Sequence, residues 1–243
     1  MVIGFRYDAA LLEKFPAIRG GVILAQGLEN GPTPPDLLDA FRAEQQAVRQ
    51  RVGDASLAEM PSLEAWRRAF SAFGVKPTQY RSAAEALLRR LTKKGDIPSI
   101  NRLVDIANLV SIRYALPVAV FDARATQGVV TVRLARGDER FTDLGADAVE
   151  HPEPGEVIFV DEAGLVSARR WCWRQSAESA ACGSTTDAII TTEGLHAGAD
   201  ADVRAALSDL VALIGRYAGG VLQSAVLSPD APAFVQDSSK GVY

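Results

Sequence analysis

SINRLVDIANLVSIRYALPVAVFD, residues Ser99 to Asp122, reads as an apolar helix that carries polar groups on one stripe and stops at a proline. Leu103, Val104, Ala107, Val110 and Tyr114 recur at helical spacing, as a core-facing stripe does. Asn101, Asp105 and Asn108 fall at i, i+4 and i+7 on a neighbouring face. Two amides and a carboxylate beside an apolar seam suit one of two ends. They hold a polar ligand, or they fasten the helix to a loop through buried hydrogen bonds.

Working outward toward the N-terminus, the chain reads as helices. Thr33, Pro34, Pro35 and Asp36 have the form of a helix start, with a capping threonine, proline in the first turn and an acid near the positive end of the dipole. That helix runs to about Val52 and a second spans Leu63 to Phe73, ending at Gly74. A third begins at Ser82, where Ser82 and Glu85 have capping-box spacing, and Gly95 ends it as a C-cap. Toward the C-terminus the character changes to short β-branched runs: Val118 to Phe121, Val129 to Leu134, Val157 to Val160, Leu165 to Trp173 and Ala188 to Thr192. Asp161 to Gly164 reads as a hairpin turn, and Asp202 to Tyr217 closes the chain as an amphipathic helix. Helices, then strands, then a helix imply an α+β fold, with the polar stripe expected against a sheet containing Trp171 and Trp173. Residues 1–75 read as a helical and strand portion of the same unit, 76–227 as its main body and 228–243 as a loosely ordered tail.

At 243 residues and 48% hydrophobic content the chain is able to bury a substantial core. Its net charge of −4 argues against generic adhesion to nucleic acid. The charge is uneven: between Arg81 and Arg113 seven basic residues face three acidic ones, a local +4 that leaves −8 elsewhere. Arg81, Arg89, Lys93 and Lys94 within that span are either a docking face for an anionic partner or ordinary solvated helix charges. Cys172 and Cys182 have neither CxxC spacing nor histidines beside them, so neither a disulfide framework nor a metal site is expected, and a reducing cytoplasmic setting fits. Neither a signal peptide nor a membrane span is expected.

In ARRWCWRQS a strand would put Arg169, Trp171 and Trp173 on one face and Arg170, Cys172 and Arg174 on the other. The tryptophans suit a core, while paired guanidiniums suit phosphates or a carboxylate. Ser184, Thr185 and Thr186 form a hydroxyl cluster before the strand that ends at Glu193, a pattern that is also common in turns. His151 and His196 sit in no chemical motif, and GxSxG, P-loop, GxGxxG and HExxH patterns are absent.

LVDIANL followed by LPVAVFD resembles the VVDITNY helix and QPLHAFD-like turn of the B3/B4 module in the phenylalanyl-tRNA synthetase beta subunit. KPTQYRSAAEALLRR (76–90), EVIFVDEAGLVSARRWCWRQS (156–176) and STTDAIITTEG (184–194) extend the likeness, which is greatest to the module's free-standing members. The resemblance implies a mainly antiparallel sheet or β-sandwich flanked by helices, with 76–227 as the B3/B4-like domain. It also implies a trans-editing deacylase that hydrolyses the ester of a mischarged aminoacyl-tRNA and uses no cofactor. In that reading Glu193 and Thr186 are catalytic, with Thr192 competing for the family glutamate position. Asn101, Asp105, Asn108, Arg170, Trp173, Arg174, Ser184 and Thr185 bind substrate, and the basic face binds tRNA. The family histidine falls on Ala119, a departure that favours a noncatalytic module binding tRNA or a free amino acid. A purely structural protein would instead bury Asp105 with all its hydrogen bonds made internally.

Overall fold

The computed structural model describes residues 2–53 and 55–237. Its N-terminal part contains β1 (Val2–Tyr7), α1 (Ala9–Lys14), β2 (Arg19–Gln26), α2 (Pro35–Val52) and α3 (Pro61–Ala72). The middle contains α4 (Ala83–Lys94), α5 (Arg102–Tyr114), β3 (Val118–Asp122), β4 (Val129–Leu134), β5 (Phe141–Thr142), β6 (Val149–Glu150) and β7 (Val157–Val160). The remainder contains β8 (Val166–Arg169), β9 (Arg174–Gln175), β10 (Ala188–Gly194), α6 (Ala199–Tyr217), β11 (Val221–Leu227) and β12 (Ala233–Asp237).

The fold is α+β. One sheet has six strands in the order β12-β1-β4-β7-β8-β9, and a second has four in the order β11-β2-β10-β3. Every pairing in the two is antiparallel except β1 with β4. Alternation along the strands of the smaller sheet explains the layering. Ile23 and Ala25 of β2, with Ala188 and Ile190 of β10, point into one core against Leu103, Ala107 and Val110 of α5, Leu207 and Leu210 of α6, and Phe41 of α2. Val22, Leu24 and Ile189 point the other way, into a second core with Phe5, Val130, Val132 and Phe159 of the larger sheet and Trp66 and Phe70 of α3. Helices therefore cover one face of the smaller sheet and the larger sheet covers the other.

Local chemistry sets the element ends. The Asn101 side chain accepts the Val104 amide at 3.1 Å and so caps α5, which begins at Arg102 rather than Ser99. Ala115 ends α5 with φ 53°, and Gly95 ends α4 with φ 88°. Gln45 clamps α2 to the segment before α5, donating to the Ile97 carbonyl at 3.2 Å and accepting its amide at 2.8 Å.

Several elements differ from the sequence reading. Pro34, not Thr33, occupies the cap position of α2, and the Thr33 hydroxyl instead donates to Asp105 at 2.6 Å. Ser82 does cap α4, but the Glu85 carboxylate turns to arginines instead of closing a capping box. The expected strand from Leu165 to Trp173 stops at Arg169, because Arg170 and Trp171 adopt left-handed φ values of 45° and 59°. The polar stripe consequently lies on a helix packed against the four-stranded sheet, while Trp171 and Trp173 belong to the turn between β8 and β9 at the edge of the other sheet. Ala233–Asp237, in the stretch expected to be a loose tail, forms β12 and pairs with β1; residues 238–243 lie outside the described residues.

Candidate functional site

β10 runs between β2 and β3, so its residues are fixed on both sides by ladder hydrogen bonds. Ile190 and Thr192 face the helix layer; Ile189, Thr191 and Glu193 face the larger sheet. There Thr191 and Glu193 open onto a cavity of about 530 Å³. Alternation along β10 separates the two neighbouring candidates: Glu193 reaches the cavity and Thr192 does not.

α4 supplies Ala83, Ala86 and Leu87 to the wall, α5 supplies Asn108, and Pro117 to Ala119 contribute the start of β3. Ala119 stands in register opposite Thr191, so the wall carries a methyl group where the resemblance would place an imidazole. The remaining wall is the turn from Trp171 to Gln175, with Phe159, Ala168 and Leu144. That turn owes its shape to Glu156, a buried carboxylate that accepts the Arg170 amide at 2.8 Å and the Arg169 guanidinium at 3.0 and 3.1 Å. Holding two non-glycine residues left-handed costs roughly 1–2 kcal/mol each. The result swings Trp171 into the core against Phe15 and Trp66, with ring centroids at 4.9 and 5.1 Å, while Trp173 stays at the cavity rim.

Glu193 is buried at the cavity wall and accepts the Tyr7 hydroxyl at 2.8 Å and the Trp171 indole N–H at 3.1 and 3.2 Å. Burial pushes its carboxyl up to about 7, although both hydrogen bonds favour the charged form. The same burial, with Glu193 alongside, raises the Tyr7 hydroxyl and the Cys172 thiol well above their ordinary values. Cys172 is therefore an inert wall group.

A second concavity of about 420 Å³ adjoins the first. Arg81, Arg89, Arg90, Lys93 and Lys94 line it, and Ala86, Trp173 and Arg174 are shared by both. Beneath it lies buried Glu85, which accepts Arg67 at 2.6 Å and Arg89 at 2.8 Å, with Arg81 at 3.6 Å. Burial acts to raise its carboxyl, but the hydrogen bonds from Arg67 and Arg89 outweigh it and hold it low. Among the described residues neither Lys93 nor Lys94 has a carboxylate within 4.0 Å, so the groove presents uncompensated charge.

The sequence-selected residues thus divide. Glu193, Asn108, Trp173 and Arg174 meet at the cavity, and Arg81, Arg89, Lys93 and Lys94 meet in the groove. Arg174 also pairs with Asp143 at 2.5 Å, holding the loop that presents Leu144. Arg170 faces a separate concavity, stacked over Tyr80 at 4.0 Å and Trp173 at 4.6 Å. Asn101 and Asp105 are spent on structure. Asn101 donates to the Ala181 carbonyl, and fully buried Asp105 accepts Thr33 Oγ1, Ser99 Oγ and the Ile100 amide. Ser184 and Thr186 are exposed, and Thr185 donates to Asp122 at 2.7 Å. Thr186 precedes β10, whose first residue, Ala188, is five strand steps or roughly 17 Å from Glu193 at ~3.3 Å each, and Thr186 does not line the cavity that Glu193 does. Thr191 is the hydroxyl that shares the wall with Glu193. Tyr7 and Trp171, the two donors to Glu193, were not singled out as site residues by sequence; Tyr7 lies 186 residues away along the chain, a contact that no local pattern reports.

A family model described as B3/4 domain matches residues 65–219. The chain belongs to the B3/4 domain family. Among its relatives, the phenylalanine–tRNA ligase beta subunit of Shewanella oneidensis is 31% identical over 94 residues, 39% of this chain and 12% of that protein. The corresponding subunit of Bradyrhizobium diazoefficiens is 36% identical over 107 residues, 44% of this chain and 13% of that one. The B3/4 chain therefore spans only about an eighth of these curated relatives. The structure of an N-terminal fragment of the phenylalanyl-tRNA synthetase beta subunit from Pyrococcus horikoshii aligns with a TM-score of 0.47 at 12% identity, covering 90% of this chain and 50% of that one. In the B3/4 chain no helix among the described residues is long and apolar enough to cross a membrane.

Proposed function

We propose that this B3/4 chain is an aminoacyl-tRNA deacylase that acts in trans in the cytoplasm, hydrolysing the ester between a mismatched amino acid and the 3′ end of a tRNA. The observation that carries the reading is the junction of two unlike concavities at Ala86, Trp173 and Arg174: a mostly apolar cavity ending at a buried carboxyl, and a groove lined by basic side chains. An aminoacyl-tRNA has the same two parts, an amino acid on a polyanion. The groove holds the phosphates and the cavity takes the amino acid.

The chemistry asks little of the protein, because an aminoacyl ester is already activated and a positioned water suffices. Water adds to the ester carbonyl, the bond to the 3′ oxygen breaks, and that oxygen leaves with a proton. Glu193, with its carboxyl near 7, accepts a proton or a hydrogen bond from the water or from the amino-acid moiety, and Asn108, Gln175 and Thr191 supply polar contacts on the same wall. A second hydrolytic site of this kind supplies discrimination that a synthetase cannot reach by binding near-isosteres alone.

The test is to incubate the protein with a panel of mischarged tRNAs and follow release of the amino acid. One or more should be deacylated, and Glu193→Ala should reduce turnover by about 100-fold or more while changing tRNA affinity little. Equal losses in turnover and binding would mark Glu193 as structural. Ala119 favours a second reading, a noncatalytic module that binds tRNA or a free amino acid, since the cavity wall there lacks an imidazole. Binding without turnover on any member of the panel would establish that reading in place of the first.

A further inference from the structure

Glu193 lies in register opposite Gly20 on β2. A Cβ at Gly20 would stand 2.1 Å from the Tyr7 hydroxyl oxygen and 3.0 Å from the ring carbon that bears it, so any larger residue there would close the path by which Tyr7 reaches Glu193. Gly20 has no left-handed backbone to explain it; what it supplies is room. Tyr7 is buried, its ring packed edge-on to Phe5 at 5.5 Å, and its hydroxyl is aimed at Glu193 Oε1 from one side while the Trp171 indole is aimed from another. Tyr7 and Gly20 both lie outside residues 65–219, whereas Glu193 and Trp171 lie within them.

We infer that Tyr7 is a positioning residue, delivered through the gap at Gly20 to fix the Glu193 carboxyl at the cavity wall, so that the N-terminal strands complete a site whose acid belongs to the B3/4 module. The inference rests on the deacylase reading for its consequence in turnover, but not for the contact itself. The hydroxyl donates to the ionised carboxylate and stabilises it. Without that donor Glu193 holds its proton to higher pH.

The experiment follows the Glu193 carboxyl by carbon-detected NMR titration in the full chain, beside the pH profile of deacylation, for the wild type, Tyr7→Phe, Gly20→Ala and the double variant. Tyr7→Phe should move the Glu193 midpoint upward by about one pH unit and carry the turnover profile with it, a shift that a merely structural tyrosine would not cause. Gly20→Ala should be markedly more destabilising in the wild-type background than in the Tyr7→Phe background, because a phenylalanine lacks the oxygen that the new methyl would strike. A midpoint and profile unmoved in Tyr7→Phe overturn the role of Tyr7, whatever the activity. A moved midpoint with no turnover on any tRNA leaves Tyr7 as the group that holds Glu193 and removes the deacylase reading alone.

Discussion

Glu193 shows how one side chain links the site to the stability of the fold. A glutamate in water ionises near 4.5, and in the folded chain burial raises this one to about 7. Between those values the folded state binds the additional proton. The contribution to stability is therefore complete below about pH 4.5 and is lost as pH rises through 7, by about 3 kcal/mol at ~1.4 kcal/mol per pH unit. Replacing the acid with an amide removes the titration. Urea unfolding at pH 5 and pH 8 should show Glu193→Gln gaining on the wild type by roughly that amount at the higher pH; a difference that stays constant with pH would contradict the burial of an ionisable group there. Asp105 is a contrasting acid, buried but supplied with three donors, and its hydrogen bonds tie α5 to the Thr33 and Ser99 segments rather than to a ligand.

At the scale of elements, α4 joins two tasks. Its Ala86 and Leu87 form cavity wall, while Arg89, Arg90, Lys93 and Lys94 project into the groove. Those cations crowd the C-terminal half of the helix, where its dipole favours them. Arg89 is already bonded to Glu85, which makes Lys93 and Lys94 the charges most available to phosphate. Replacing both lysines with alanine should weaken tRNA binding and lower the slope of log affinity against log salt by about 1–2. An unchanged slope in a filter-binding salt series would move the docking face elsewhere. The turn after β8 is the other decisive element. Its left-handed pair turns Trp171 inward to Glu193 and leaves Trp173 outward at the rim where cavity and groove meet.

For the whole molecule, the arrangement of the sheets brings the N-terminal strands to the Glu193 carboxyl and places the C-terminal strands along the edges of the two sheets. β2 and β11 lie outside residues 65–219, yet β2 is an inner strand of the four-stranded sheet and holds β10 along its full length. A protein cut to residues 65–219 would lose β1, β2, α2, β11 and β12, stripping packing partners from Ile190 and Val203 in the core on the helix side of that sheet and from Ile189 and Phe159 in the core between the two sheets. It should fail to give a cooperative thermal transition, whereas the full chain should give one. Cooperative unfolding of the fragment by circular dichroism would show that the B3/4 segment is self-sufficient and that the outer strands are accessory.

By itself the sequence determined the α+β order of elements, the cap and C-cap of α4, the apolar seam of α5, the basic stretch on α4 and the candidacy of Glu193. These rest on periodicity, capping chemistry and charge, which are written in neighbouring residues. It left open whether the Asn101, Asp105 and Asn108 stripe served a ligand or the fold, and only tertiary structure decided that the first two serve the fold and the third reaches the cavity. Tertiary structure also broke the Leu165 to Trp173 strand, because buried Glu156 compensates a backbone strain that local propensity disfavours. It put Thr186 at the far end of β10 from Glu193, and it brought Tyr7 through the gap at Gly20 to the same carboxyl. Such contacts join residues more than a hundred positions apart, and their register is set by strand pairing, which no short stretch of the chain encodes.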